Sequence, residues 1–140
     1  MLTHDELLEI ARDDRDAAEF LRSFQAKAHL VDDQEDGDVP TPIERVADVE
    51  TDWLVTLSTN PFFTRNAAIL VPTIVLGLNA WVDATRWSRS TKVEQRRAAD
   101  VVKGYYHEVA YLVAFLVGGQ GHMKEISNKY RSYDFEQEDK

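Results

Sequence analysis

Four signals for the start of a helix are spread along this sequence of 140 residues. Three of them pair a threonine with a glutamate three positions later, in the segments THDE, TPIE and TKVE (residues 3–6, 41–44 and 91–94). In this capping-box pattern each side chain accepts a hydrogen bond from the backbone amide of the other residue. The fourth signal is Asn60 followed by Pro61, a capping residue and a residue suited to the first helical position. Together the four signals predict an all-α fold.

Apolar residues at helical spacing divide the chain into about five helices, and we expect a single-domain bundle. The first helix covers about 4–29, with the charged run RDDRD interrupting it, and Pro72 should kink or split the third helix near Val71. A short fifth helix carries Met123, Ile126, Tyr130 and Tyr133. The predicted organisation is an acidic N-terminal helix (1–30), an acidic linker (31–41), a helical core (42–133) and a charged tail (134–140).

Two apolar runs dominate the predicted core, at residues 67–82 and 109–119. A membrane span needs roughly 20 apolar residues, so both runs are too short and we predict no membrane span. Helices that are apolar nearly all round are typical of the centre of a bundle or of a surface buried between subunits. The two runs therefore predict a central antiparallel apolar hairpin.

The composition and the first residues bear on the cellular setting. The chain has no cysteine, so it has no disulfide and no thiolate ligand. Its first residues lack the features of a secretory signal, and we expect a cytoplasmic or virion protein. Aspartate makes up 14 of the 25 acids and arginine 10 of the 16 bases, which indicates either a halophilic protein or an ordinary acidic one.

The charge is distributed very unevenly. The net charge is -9, but residues 1–60 carry 16 acids against 5 bases, whereas residues 61–133 carry 5 acids against 10 bases. The acidic total argues against nucleic-acid binding, except at one basic corner. That corner is the predicted interface, and its residues are Arg86, Trp87, Arg89, Arg96 and Arg97. Arg96 and Arg97 lie near a predicted helix start, where the dipole disfavours cations, so we expect an acidic partner. The acidic N-terminal region of the same chain or of a neighbouring copy could be this partner.

One group of residues allows a metal-dependent enzyme as an alternative. Its members are Asp83, His107, Glu108 and His122, a nitrogen and oxygen ligand set if two helices bring them together. On the fourth predicted helix, about 92–117, His107 shares a polar face with Lys103 and Asp100, which favours a solvated or hydrogen-bonded histidine. Paired Glu-x-x-His motifs are absent. We therefore predict no metal and no cofactor.

A second alternative is a helical ribonuclease or toxin. The segment RSFQAKAH contains Arg22 and His29 in an Arg-x6-His arrangement, which resembles the pair used by one family of small helical ribonucleases. The resemblance implies that His29 transfers a proton while Arg22 stabilises developing charge on a phosphodiester. The sequence has no Gly-rich phosphate loop, no G-x-S-x-G and no H-E-x-x-H motif. Enzyme function is therefore not the favoured prediction.

The favoured prediction is a non-enzymatic structural subunit that forms homo-oligomers. An apolar hairpin with acidic and basic ends suits head-to-tail packing against other copies and other protein subunits. In general character, the stretch NAAILVPTIVLGLNAWVDATR resembles the apolar central helix of small all-α head-to-tail connector proteins of tailed viruses. The resemblance implies a multimeric ring in a virion that contacts portal and tail proteins without catalysis.

Overall fold

The computed structural model describes the backbone of residues 1–138 and the side chains of residues 1–132. The side chain of Tyr133 and those of the predicted tail, 134–140, lie outside this description. Helices account for 86% of the chain and the described residues contain no strand, which confirms the all-α prediction. The helices are α1 (His4–Ile10), α2 (Arg15–Asp36), α3 (Ile43–Thr59), α4 (Pro61–Ser88), α5 (Val93–Lys103) and α6 (Glu108–Glu138), with a 3₁₀ turn (Gly104–His107) between α5 and α6.

The first predicted helix is broken where the charged run interrupts it. The capping box at its start is formed, with the Glu6 amide 3.2 Å from the Thr3 hydroxyl. Beyond α1, Arg12 and Asp13 adopt positive φ angles of 50° and 63°, which end the helix. Asp14 then caps α2 by accepting a hydrogen bond of 3.0 Å from the Ala17 amide.

Helix α2 extends further than the sequence predicts. Residues 31–36, expected to begin an acidic linker, are its last turns, and the helix ends at Gly37 with φ of 72°. The carboxylate of Asp33 lies 2.8 Å from the guanidinium of Arg45 on α3, which offsets some of the repulsion among the acids. The helix therefore continues to the first glycine, a residue that adopts the left-handed conformation without strain.

The other two predicted capping boxes are not formed. Helices α3 and α5 begin after Pro42 and Lys92, and neither start has a side-chain cap. At α5, the hydroxyl of Ser90 instead accepts a hydrogen bond of 3.0 Å from the Lys92 amide. The threonine and glutamate pattern thus located these helices correctly without supplying their caps.

The chain divides into two compact units, Met1–Ala67 and Ala68–Lys140, and the division falls within α4. The first unit has an aromatic core around Phe20, which is fully buried. Four rings lie with their centroids 5.6–6.2 Å from that of Phe20, and they belong to Phe24, Trp53, Phe62 and Phe63. These contacts join α2, α3 and the start of α4.

Asn60 fixes the start of α4 within the first unit. Its side-chain oxygen accepts a hydrogen bond of 2.9 Å from the Phe63 amide, and its side-chain nitrogen donates one of 2.9 Å to the Asp16 carbonyl. Asn60 is only 6% exposed, so both of its polar groups are satisfied within the protein. The cap therefore also links α4 to α2.

In the second unit, α4 continues through Pro72, so the predicted split of this helix is wrong. Pro72 is exposed, and the Thr73 hydroxyl donates a hydrogen bond of 3.0 Å to the Ile69 carbonyl beside it. On the opposite side of α4, a Cβ atom at Gly77 would lie 3.2 Å from the Cα of Tyr106. The absence of a side chain at Gly77 thus lets α4 pack closely against the 3₁₀ turn, in the predicted hairpin.

Helix α6 contains a sharp bend at Gly119, whose φ of 82° and ψ of -175° are not helical. Across the bend, Arg131 lies 2.6 Å from Glu108 and 4.8 Å from the ring centroid of Tyr111. A straight helix would separate residues 108 and 131 by about 35 Å, so the chain reverses its direction. The predicted helix end at the double glycine and the short fifth helix are both confirmed, and Ile126 and Tyr130 of that last segment are buried.

Candidate interaction surfaces

The four candidate metal ligands are not brought together. The structure, as far as residue 132, contains no group of three or more histidine, cysteine, aspartate or glutamate residues that could hold a metal ion. Glu108 instead pairs with Arg131, and the His122 side chain lies against Gly118, where a Cβ atom would be 2.6 Å away. Asp83, His107, Glu108 and His122 therefore do not form a metal centre in this fold.

His107 also lies outside the predicted polar stripe. That stripe assumes an uninterrupted α-helix, whereas residues 104–107 form a 3₁₀ turn. A 3₁₀ turn advances 120° per residue rather than 100°, so His107 is rotated away from Lys103 and Asp100. His107 is exposed, and its neighbour Tyr106 is half-buried, with burial raising the pKa of the Tyr106 hydroxyl.

Arg22, proposed as a phosphate-binding group, is held by two carboxylates. Its guanidinium lies 2.5 Å from Glu19 and 2.6 Å from Asp52. The hydrogen bond to Glu19 raises the pKa of Arg22, partial burial opposes this, and Asp52 raises the pKa further. Two carboxylates therefore already bind the cation that the ribonuclease alternative assigns to a phosphate.

Sequence reasoning missed the polar contacts between α2 and α3. The Asp52 carboxylate accepts hydrogen bonds from Arg22 and from the fully buried Ser23, the latter at 2.8 Å. Partial burial acts to raise the pKa of Asp52, but these two hydrogen bonds lower it below its ordinary value. A second pair joins Lys27 to Glu50. Helical spacing gave only half of this signal, because Ser23 and Lys27 are four residues apart on one face of α2, whereas Glu50 and Asp52 are two residues apart on α3.

The basic corner lies on the surface. Arg86 and Arg89 end α4 and begin the turn, and Arg96 and Arg97 lie at the start of α5; all four are exposed, whereas Trp87 is half-buried. Arg96 is anchored by a hydrogen bond of 2.9 Å from its guanidinium to the Ser90 carbonyl. The predicted interface residues are therefore accessible to a partner, with Trp87 the least so.

The most unusual surface is on α4, where large aliphatic side chains are exposed. Leu76 is 71% exposed, Val75 57% and Ile69 49%. The α4 face is defined here as Ala68, Ile69, Val71, Pro72, Val75, Leu76 and Leu78, all of them exposed. This run was predicted to be buried at the centre of the bundle or between subunits. The first alternative is wrong, because α4 buries only the opposite side, with Leu70, Gly77 and Ala84.

A second exposed apolar surface lies on α3 in the first unit. Its largest side chains are Ile43, 74% exposed, Leu54, 64% exposed, and Val55, 53% exposed. With Ala47 these three residues form the α3 face. Glu44 and Asp48 are exposed on the same side of the helix, at 3.6 residues per turn. The α3 face is thus apolar with acidic residues towards its N-terminal end.

Helix α4 also meets the length and composition criteria for crossing a membrane, and it is the one described helix that does. Only 17% of its most apolar window is buried within the protein. Core helices of soluble proteins and signal sequences meet the same criteria. Most of the apolar surface of α4 is uncovered by the rest of the protein.

Comparison with known proteins supplies no assignment. The chain matches no protein-family model, and no curated protein or solved structure shows significant similarity to it. The two apolar faces and the charges beside them are therefore the features of the molecule that bear on its function.

Proposed function

We propose that the protein is a non-enzymatic structural subunit that associates with further copies of itself. The observation that carries this proposal is the exposed α4 face. Monomeric proteins rarely expose contiguous apolar patches larger than a few hundred Å², and larger patches mark binding surfaces. Between Arg65 and Asp83, α4 has no charged residue, so this surface is poorly suited to permanent contact with water.

The unequal charge distribution supports a second copy as the partner. Each chain carries an acidic region and a basic region, so neighbouring copies attract one another when unlike regions meet. Stable interfaces bury roughly 800 Å² on each partner, and an exposed apolar helix face with a charged border supplies the usual core and rim of such a surface. A ring in a tailed virus, as the connector resemblance implies, is one assembly of this kind.

The test is the mass of the protein in solution, measured by sedimentation equilibrium over a range of protein and salt concentrations. We expect masses above that of one chain, and association that weakens as salt screens the attraction between unlike regions. Flotation with neutral phosphatidylcholine vesicles is measured in parallel. A monomer at every condition would refute the proposal, and a monomer that floats with the vesicles would replace self-association with membrane binding.

A further inference from the structure

The chemistry of the α4 face and of the α3 face differs in a way that identifies what covers each. Both faces have exposed aliphatic side chains at their centre. Beyond the α4 face, towards the C-terminal end of its helix, come Arg86 and the rest of the basic corner. The α3 face has its acids, Glu44 and Asp48, at the N-terminal end. One face is therefore the electrostatic complement of the other, and neither is the complement of itself.

We propose that the α3 face of one copy packs antiparallel on the α4 face of the next copy. This inference rests on the proposed self-association and specifies its geometry. The antiparallel direction is favoured by the charges, because the acidic end of α3 then lies beside the several arginines of the basic corner. In the parallel direction Glu44 would lie near a single arginine, Arg65, at the start of α4, and a charge exchange between Glu44 and Arg86 distinguishes the two directions.

The spacing along the two helices matches in this direction. Leu54 and Glu44 on α3 lie about 15 Å apart along the helix axis, as do Leu76 and Arg86 on α4. With Leu54 placed against Leu76, Glu44 comes opposite Arg86. In the same register Thr51 comes opposite Asn79, so the polar residues that interrupt the two faces meet each other.

The charged residues that would meet across this contact are available for it. Within the described part of the chain, Glu44 and Arg86 are both exposed and have no ion-pair partner. Because the contact joins two different faces, each copy retains one face for a further neighbour. Such heterologous contacts produce rings when the rotation closes and filaments when it does not.

The decisive experiment mixes two variants. Leu54→Glu removes the α3 face and leaves the α4 face intact, whereas Leu76→Glu does the reverse. Both side chains are exposed, so we expect each variant to keep the circular dichroism spectrum and melting temperature of the wild type. Each variant alone should sediment as a monomer, and an equal mixture should form a complex of two chains that grows no further.

Val39→Glu is the matched control, because Val39 is 48% exposed in the connection between α2 and α3 and belongs to neither face. It should assemble as the wild type does. If Leu54→Glu still dimerises while Leu76→Glu does not, α4 pairs with α4 and the inference is overturned, although self-association stands. A wild-type monomer at every condition would overturn both.

A charge exchange tests the register. Glu44→Arg alone or Arg86→Glu alone places like charges opposite each other. Either variant should therefore raise the dissociation constant by about tenfold. The double variant Glu44→Arg/Arg86→Glu should recover most of that loss. Equal weakening in single and double variants would contradict the Glu44 to Arg86 pairing, and the mixing result would then decide between another register and another pair of faces.

Discussion

In residues 1–67 the large aromatic side chains face one another, whereas in residues 68–132 the large aliphatic side chains of α4 face outward. Phe20 is fully buried among four other rings, while Leu76 is 71% exposed. The more acidic first unit holds the tight aromatic core. In the less acidic second unit, much of the apolar helix α4 is left uncovered.

This difference separates two uses of apolar residues. In the first unit, rings from α2, α3 and the start of α4 fill one volume, so their burial stabilises the fold. In the second unit, the buried side of α4 holds Leu70 together with the small residues Gly77 and Ala84, and many of the other large aliphatic side chains of the helix remain exposed. The proposed self-association uses this uncovered side of α4, because large exposed apolar patches mark binding surfaces.

The largest expected effect is the loss of the aromatic core. Phe20→Ala should reduce the free energy of unfolding by about 3–5 kcal/mol, since it removes a ring that contacts four others and leaves a cavity. Urea unfolding followed by circular dichroism measures this change. The matched variant Phe115→Ala, at a position on α6 that is 45% exposed, should cost less than about 1 kcal/mol. If Phe20→Ala and Phe115→Ala lose equal amounts of unfolding free energy, the two units do not differ in how they use their apolar side chains.

The next effect concerns the bend in α6. Gly119 has φ of 82° and ψ of -175°, a conformation open in practice only to glycine. Gly119→Ala should therefore cost about 1–3 kcal/mol in strain, and no steric clash contributes, because nothing lies within 4 Å of the added Cβ atom.

Gly121 is the matched position, two residues later, with equal space around it and no positive φ. Gly121→Ala should be neutral or stabilising by about 0.5–1 kcal/mol, because alanine favours the helix. Thermal and urea unfolding should thus show a loss of stability for Gly119→Ala and no loss, or a gain, for Gly121→Ala. If Gly119→Ala is as stable as Gly121→Ala, the reversal that places Glu108 beside Arg131 does not hold in solution.

The helical architecture was largely predictable because its causes are local. Capping patterns and proline located the helix starts, and the breaks at residues 11–14 and at Gly119 follow from a charged run and a double glycine. The exceptions have local causes as well. Pro72 did not split α4, because it lies on the exposed side, where the lost hydrogen bond is less costly.

The surfaces and polar contacts were not predictable because they depend on residues far apart in the chain. Periodicity shows that α4 is apolar, but it does not show whether another element covers the helix. Asp52 lies on a different helix from Arg22, and Arg131 meets Glu108 only through the bend. Glu108, a candidate metal ligand, thus pairs with Arg131 instead, and the spacing of residues along one helix does not reveal that contact.

The smallest effect tests whether polar contacts between α2 and α3 add to the core of the first unit. Asp52 is 35% exposed and accepts hydrogen bonds from Arg22 and Ser23, which lower its pKa in the folded state despite partial burial. In the unfolded chain an aspartate titrates near pH 3.9, at about its ordinary pKa. The stabilisation is therefore complete above that pH and is lost as the pH falls through the folded-state pKa.

Asp52→Asn should remove this contribution, which is below about 1 kcal/mol at pH 7 because solvent screens the partly exposed pair. The measurement is urea unfolding at pH 7 and at pH 3, and the difference between wild type and variant should shrink at the lower pH. Asp48→Asn, on the exposed side of the same helix, should change the stability at pH 7 by less than about 0.5 kcal/mol. Equal stability of wild type and Asp52→Asn at both pH values would show that the hydrogen bond from Ser23, rather than the charge of Asp52, carries the effect, because an asparagine oxygen still accepts that bond and does not titrate.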